Sequence, residues 1–219
     1  FTRTWTWTID KSVDGPSTKY GAPLATLPFD YDVVLDATSK DSDWYITGTI
    51  TVTNPNEWQA VTLDSLVDTA TDGVTDGVCV LVDAPAEFVV PAGGSLIVDY
   101  RCDFESGASG TNTATATWDA VTYNTPTDTA FGTADYTFET PDTVIDESVD
   151  VDDNYTIEPL GTVTADQVPY QFDYSLSWEA IAGTCTEYTN TASFVTNDTE
   201  TTGSDPATVT VCAGDDLTV

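Results

Sequence analysis

The stretch Trp44–Pro55, WYITGTITVTNP, decides the fold class because apolar and polar residues alternate over almost its whole length. One phase holds the apolar residues Trp44, Ile46, Ile50 and Val52, and the other phase is mostly threonine. Successive side chains of a β-strand point to opposite faces, so this pattern is typical of a strand with one buried face. The turn-forming residues Asn54-Pro55-Asn56 then end the strand.

The same alternation recurs on both sides of this stretch. Its apolar phases are Phe29-Tyr31-Val33-Leu35, Leu96-Val98-Tyr100-Cys102 and Tyr170-Phe172-Tyr174-Leu176-Trp178. No helical period of useful length appears. Because an immunoglobulin-like sandwich takes about 100 residues, the 219 residues predict an all-β protein of two tandem immunoglobulin-like antiparallel β-sandwich domains.

An internal repeat supports two domains. Asp99-Tyr100 precedes Thr111-Asn112-Thr113-Ala114 in the first half, and Asp173-Tyr174 precedes Thr189-Asn190-Thr191-Ala192 in the second. The weakly patterned, Thr/Pro-rich stretch Asn124–Thr127 is the natural linker between them. We therefore predict domains at residues 1–124 and 125–219, with a start of the second domain nearer Thr137 as the alternative.

A family resemblance rests on short motifs within these strands and in the turns between them. They are Trp44–Pro55, Cys79, Ala92-Gly93-Gly94-Ser95, Tyr100-Arg101-Cys102, Asn112-Thr113-Ala114, Leu160-Gly161-Thr162-Val163, Pro169-Tyr170, Ala182-Gly183-Thr184-Cys185 and Asn190-Thr191-Ala192. The chain thereby resembles the conserved Ig-like repeat domains of bacterial and archaeal cell-surface proteins. The resemblance implies the fold and a cell-surface location, and it implies no catalytic residue because the family is not an enzyme family.

The charge balance restricts the partners of the chain. It has 37 acidic and 5 basic residues, for a formal net charge of -32. Such a polyanion repels phosphate backbones, so nucleic acid is excluded as a partner. No apolar run is long enough to span a membrane. Divalent cations, of which calcium prefers oxygen ligands, are the expected counterpart, and a simply solvated acidic surface is the alternative.

Two acidic segments are candidate Ca²⁺ sites. The first contains Asp146, Glu147, Asp150, Asp152 and Asp153, and the second contains Asp64, Asp68, Asp72 and Asp76. Neither has the spacing of an EF-hand loop. Calcium would be the cofactor, if any, and solvated charge is the competing interpretation.

The four cysteines indicate an oxidising compartment. Of the three possible connectivities, sequence proximity and the domain division favour Cys79 with Cys102 and Cys185 with Cys212.

The sequence contains no Met, which fits a mature product whose signal peptide was removed, or a segment of a longer protein. We therefore predict an extracellular or cell-surface location, where Asn154 and Asn197 are candidate N-glycosylation sites.

The residue types exclude most catalytic chemistry. The chain has no His, so no Ser-His-Asp, Cys-His or His-metal site can form, and we predict a protein that is not an enzyme. Lys11 and the inward Asn112 and Asn190 are the reactant types of the Lys–Asn isopeptide cross-links of surface adhesins. That reaction needs a buried acid beside the pair, and the alternative is an asparagine that satisfies backbone groups.

The first strand has two interpretations. Phe1, Trp5, Trp7 and Ile9 share one face, and residues 1–10 are either the first strand of their own sandwich or a strand donated to a neighbouring subunit. Donation predicts a structural subunit of a pilus-like extracellular filament or surface layer that assembles with copies of itself. The alternative function is adhesion, as a ligand- or sugar-binding module of a cell-surface adhesin.

Overall fold

The structure is a computed structural model that describes residues 1–215, and almost all of its regular structure is β. In chain order the strands are β1 (Thr2–Asp14), β2 (Thr18–Gly21), β3 (Thr26–Ser42), β4 (Trp44–Thr53), β5 (Val61–Thr62), β6 (Ser65–Thr71), β7 (Val78–Val82), β8 (Val89–Val90), β9 (Ser95–Phe104), β10 (Gly110–Thr117), β11 (Thr129–Tyr136), β12 (Thr143–Ile145), β13 (Ser148–Asp153), β14 (Gly161–Thr164), β15 (Tyr170–Glu179), β16 (Thr184–Thr196) and β17 (Thr202–Ala213). One short helix, α1 (Ala120–Tyr123), lies between β10 and β11. The predicted all-β class is confirmed, and within the described residues no helix is long and apolar enough to cross a membrane.

The division into two units differs from the predicted boundary at residues 124 and 125. Unit 1 comprises Phe1–Thr2 and Asp41–Thr143, and unit 2 comprises Arg3–Lys40 and Val144–Val219. Unit 1 is thus inserted into unit 2. The physical reason is that β3 pairs with β15 over ten residues of antiparallel register, from Thr26 opposite Glu179 to Leu35 opposite Tyr170. Arg3–Lys40 therefore complete the fold of the segment that begins at Val144.

Unit 2 packs two sheets face to face. One has the strand order β12-β1-β3-β15, and the other has the order β14-β13-β16-β17-β2. The pairs β13–β14, β13–β16, β16–β17 and β3–β15 are antiparallel, whereas β17 and β2 are parallel. The inward phase of β3 fills the core with side chains that are 0 % exposed, namely Phe29, Tyr31, Val33 and Leu35. They meet the inward residues of the other sheet, among them Val149, Val151, Phe194, Val209 and Val211.

Unit 1 is built from smaller sheets. Their orders are β4-β9-β7, β11-β10-β6 and β5-β8. The core between them contains Ile50, Val61, Leu63, Leu66, Val90, Val98 and Ala116. The stretch Trp44–Pro55 contains β4, which pairs with β9 along its whole length.

The internal repeat has the same strand register in both units. In unit 2, Asp153 of β13 lies opposite Ala192 of β16, two residues beyond Asn190. In unit 1, Asp68 of β6 lies opposite Ala114 of β10, two residues beyond Asn112. By the same comparison β9 corresponds to β15, β4 to β3, and β11 to β17.

Both favoured disulfides are present, Cys79–Cys102 and Cys185–Cys212. Each joins residues directly opposite each other, on β7 and β9 in unit 1 and on β16 and β17 in unit 2. The two bridges therefore link different strand pairs of the repeat.

The insertion of unit 1 predicts which fragments fold. A polypeptide of residues 125–219 should show no cooperative thermal transition by circular dichroism, because it lacks the core side chains of β1 and β3. Residues 1–40 joined to 144–219 by a long Gly/Ser linker should melt cooperatively. Cooperative melting of the 125–219 fragment alone would contradict this division of the chain.

Candidate functional site

A lysine is completely buried in unit 2. Lys11 lies in the inward phase of β1, after Trp7 and Ile9, and its ammonium Nζ lies 2.7 Å from Oδ2 of Asp153. The side chains of both residues are 0 % exposed. A buried charge is costly unless it is paired and hydrogen-bonded, so β1 and β13 are held in one arrangement by this pair.

The hydroxyl of Tyr174 connects this pair to an asparagine. It donates to Oδ2 of Asp153 at 2.6 Å and accepts from Nδ2 of Asn190 at 3.0 Å. Lys11 Nζ contacts the same hydroxyl oxygen. The rings of Tyr31 and Tyr174 stack with centroids 5.7 Å apart. Lys11 Nζ lies 4.9 and 4.7 Å from the two centroids, within the range of a cation–π interaction.

The dry surroundings change the acid–base properties of the cluster. Burial lowers the pKa of Lys11, against the opposing effect of Asp153. Burial and the hydrogen bond to Asp153 raise the pKa of Tyr174. Within the part of the chain that the structure describes, Oδ1 of Asn190 is buried without a hydrogen-bond partner. An amine, a carboxyl group and an unsatisfied amide carbonyl therefore meet away from water.

Unit 1 repeats this cluster without the lysine. Asn112 and Asp68 are buried, and Nδ2 of Asn112 donates to Oδ2 of Asp68 at 2.8 Å. Burial raises the pKa of Asp68 and of the neighbouring Tyr100. Among the residues that the structure describes, Oδ1 of Asp68 has no hydrogen-bond partner. Asp68 of unit 1 thus has one oxygen without a hydrogen-bond partner among the described residues. Asp153, the equivalent acid of unit 2, binds the ammonium of Lys11.

An open groove accompanies the missing lysine. We call it the unit 1 groove: a cavity of about 330 Å³ lined by Thr49–Thr53 of β4, Leu66, Tyr100, Asn112, Ala114, Ala116 and Ala130–Ala134 of β11. In unit 2 the corresponding strand β3 pairs with β1 on its outer side. Within residues 1–215, no strand of unit 1 pairs with that side of β4. As a result Ala134 is exposed, whereas its counterpart Ala207 is only 7 % exposed.

The first acidic segment is dispersed over the surface and core of unit 2. Asp146 is buried, and its carboxylate accepts from the backbone N–H of Asp198 and of Thr199 and from the Thr199 hydroxyl. Burial alone would raise the pKa of Asp146, but these hydrogen bonds outweigh it and lower the pKa. Glu147, Asp150 and Asp152 are exposed. Asp153 forms the buried ion pair with Lys11.

The second acidic segment is also spread out. Four residues of a strand span about 13 Å, so Asp64 and Asp68 stand at different places on β6 and its approach. Asp72 accepts from the backbone N–H of Val74 and Thr75 and shapes its own turn, and Asp76 forms an isolated antiparallel β-bridge with Thr71. Within residues 1–215, the group of three potential ligands within 4.8 Å of one another is Asp68, Cys79 and Cys102. The two sulfurs form a disulfide, and calcium binding stays a prediction.

The remaining predicted residues take the following places. Within the single chain β1 pairs with β3 and β12. This is the arrangement in which the first strand belongs to its own sandwich and is not donated to a neighbouring subunit. Trp7 is buried in unit 2 with Trp5 and Ile9 packed around it, and Phe1 stacks on Trp44 in unit 1.

The two candidate glycosylation sites, Asn154 and Asn197, are exposed. Their side-chain carbonyls accept from the backbone N–H of Thr191 and Ser148, respectively. Glycosylation stays a prediction.

Comparison with known proteins gives no family for this geometry. No family model matches the chain, and neither a curated protein nor a solved structure matches it.

Asp146 gives a test of the structure around β13. Asp146→Asn should lower the free energy of unfolding by about 1–3 kcal/mol at neutral pH, because the amide nitrogen that replaces Oδ2 cannot accept from the Thr199 hydroxyl. Because the folded-state pKa lies below its ordinary value of 3.8, this contribution is complete above that pH and is lost as the pH falls through the folded-state pKa. Urea unfolding at a series of pH values measures both effects.

The exposed neighbour provides the matched control for this experiment. Glu147→Gln should change the free energy of unfolding by less than about 0.5 kcal/mol. A difference between Asp146→Asn and the native chain that stays constant into the acid range would contradict the assignment.

Proposed function

We propose that this chain is a structural subunit of an extracellular filament or surface layer, built from Ig-like domains, in which the unit 1 groove accepts a lysine-bearing β-strand from a neighbouring subunit. The observation that carries the proposal is the contrast between the units. β1 occupies a place in unit 2 whose counterpart beside β4 has no strand within the described residues.

Strand addition fits the exposed backbone edge beside the groove. An edge strand offers a row of unpaired N–H and C=O groups to a second chain, and alternate side chains then enter pockets. The floor of the groove contains small residues, Ala114 and Ala116, and all five groove residues of β11, Ala130–Ala134, are exposed. A strand with large inward side chains, such as the tryptophans of β1, supplies the volume that these small residues leave unfilled.

Charge complementarity favours a lysine on the incoming strand. Asp68 is buried next to Asn112, and its Oδ1 is unsatisfied among the described residues. In unit 2 the equivalent acid binds the ammonium of Lys11. A strand that follows the pattern of β1 would bring an ammonium to Asp68 and satisfy this oxygen.

The composition and the cross-links support the extracellular location in this proposal. Two disulfides are typical of proteins in oxidising compartments. A surface with a net charge of -32 repels non-specific contacts between copies, so assembly must use a specific contact such as a paired strand edge.

The groove is tested with a synthetic peptide of residues 1–14, which contains the pattern of β1. The labelled peptide should bind the full chain saturably, as measured by fluorescence anisotropy. A peptide with Lys11→Ala should bind roughly tenfold more weakly or worse, because it leaves the Asp68 carboxylate unpaired.

Matched substitutions in the chain locate the binding. Gly132 lines the groove, and a Cβ added there meets no atom within 4 Å, so Gly132→Trp should fill the groove without disrupting β11. The control Val67→Trp changes an exposed residue of β6 that does not line the groove. Gly132→Trp should abolish peptide binding, and Val67→Trp should not. Equal binding by both variants would mean exchange of the peptide into unit 2 and would contradict the proposal.

The assembly itself is tested by negative-stain microscopy of material from the native source. Fibres or sheets are expected, and expression of Gly132→Trp in place of the native chain should remove them while Val67→Trp retains them. A monodisperse protein that binds a sugar saturably would instead favour the binding-module alternative.

A further inference from the structure

We infer that Lys11 and Asn190 are joined by an isopeptide bond that forms spontaneously inside unit 2, with Asp153 and Tyr174 as the groups that move the protons. This modification concerns unit 2, and it is tested separately from strand addition to the unit 1 groove. It would cross-link β1 of one sheet to β16 of the other sheet through the core.

The geometry places all the reacting groups in one dry cluster. Lys11 Nζ and Asn190 Nδ2 contact the same atom, the hydroxyl oxygen of Tyr174. That hydroxyl and the ammonium both bind Oδ2 of Asp153, at 2.6 and 2.7 Å. Asn190 is 0 % exposed. Fixed proximity of this kind replaces an encounter in solution, and the exclusion of water removes the competing hydrolysis of the amide.

The reaction needs no co-reactant from outside the chain. Asp153 accepts a proton from the ammonium of Lys11, and the neutral amine adds to Cγ of Asn190 while the carbonyl π pair moves to Oδ1. Tyr174 passes a proton to Nδ2 and regains one from Asp153. Collapse of the tetrahedral intermediate returns the Oδ1 electron pair to the carbonyl and breaks the Cγ–Nδ2 bond, and the leaving ammonia takes the remaining extra proton from the former Lys11 nitrogen. The products are a secondary amide and ammonium, and the Asp153 carboxylate is regenerated.

The protonation states favour this sequence of steps. A lysine must be neutral to act as a nucleophile, and burial lowers the pKa of Lys11. The Asp153 carboxylate is already in contact with the proton that must leave. Oδ1 of Asn190, which has no hydrogen-bond partner among the described residues, is the atom on which negative charge develops.

Unit 1 serves as an internal control. It has the equivalent acid, tyrosine and asparagine in Asp68, Tyr100 and Asn112, but within the described residues no lysine contacts them. The reaction therefore cannot occur within unit 1, and the chain should contain one cross-link and not two.

Tryptic digestion of the full chain gives a direct readout, because the sequence has only five cleavage sites. After reduction and alkylation, an unlinked chain yields peptides 4–11, 12–19 and 102–219. Acylation of Lys11 blocks cleavage after it, so the linked chain should yield residues 4–19 attached to residues 102–219. The intact mass should be lower than that of the disulfide-bonded sequence by one ammonia, and fragmentation should place the link at Asn190.

Variants separate the roles of the residues. Asp153→Asn removes the proton acceptor and should restore peptides 4–11 and 12–19 at the full intact mass, as should Asn190→Ala apart from the substitution itself. Asn112→Ala is the matched control at the equivalent position of unit 1 and should leave the link intact. Tyr174→Phe keeps the ring stack and should slow the appearance of the link in freshly made protein.

Two results would overturn the inference. One is a native chain that releases peptides 4–11 and 12–19 quantitatively. The other is a link that persists in Asp153→Asn, or an ammonia loss that maps to an asparagine other than Asn190. The native digest is decisive even if a variant fails to fold, and none of these outcomes depends on the peptide-binding experiment for the unit 1 groove.

Discussion

The buried pair of Lys11 and Asp153 is the constraint on which unit 2 depends. Removal of one partner from a buried ion pair typically costs about 3–5 kcal/mol, because the other charge is left uncompensated. Here the pair also determines which strands meet. Lys11 and Tyr174 lie on β1 and β15 of one sheet, whereas Asp153 and Asn190 lie on β13 and β16 of the other. The cluster therefore ties the two sheets together through their common core.

Unit 1 shows the same architecture without this constraint. Asn112 donates to one oxygen of Asp68, and the other oxygen has no partner among the described residues. The unit 1 groove lies at the position that corresponds to β1 of unit 2. The small alanines of β10 and β11 leave volume unfilled in that groove. The unpaired edge of β4 offers a place for a strand whose side chains would fill it.

Period-two alternation was sufficient to predict the strands and the all-β class, because it is a local property. The domain boundary was not predictable in this way. The Thr/Pro-rich stretch Asn124–Thr127 follows α1 within unit 1, where Trp118 donates to the Thr125 hydroxyl. The chain instead passes between units near Lys40, towards the end of the long strand β3, where the composition does not change. Asp153 could have been recognised as inward because it continues the phase of Val149 and Val151, but only the fold brings it to Lys11.

The surroundings of Asp68 explain why its free oxygen points to a cation and not to a metal site. On one side Asn112 donates to Oδ2, and the sulfur of Cys102 lies 3.2 Å from the same oxygen. That sulfur is bonded to Cys79 and is no thiolate ligand. A divalent ion would find one carboxylate and too few oxygens to replace its hydration shell. A single ammonium needs only one carboxylate and neighbouring acceptors, which is the arrangement that unit 2 already uses for Lys11. Because an isopeptide bond at Lys11 would keep β1 in its own chain, the lysine for unit 1 must come from another strand.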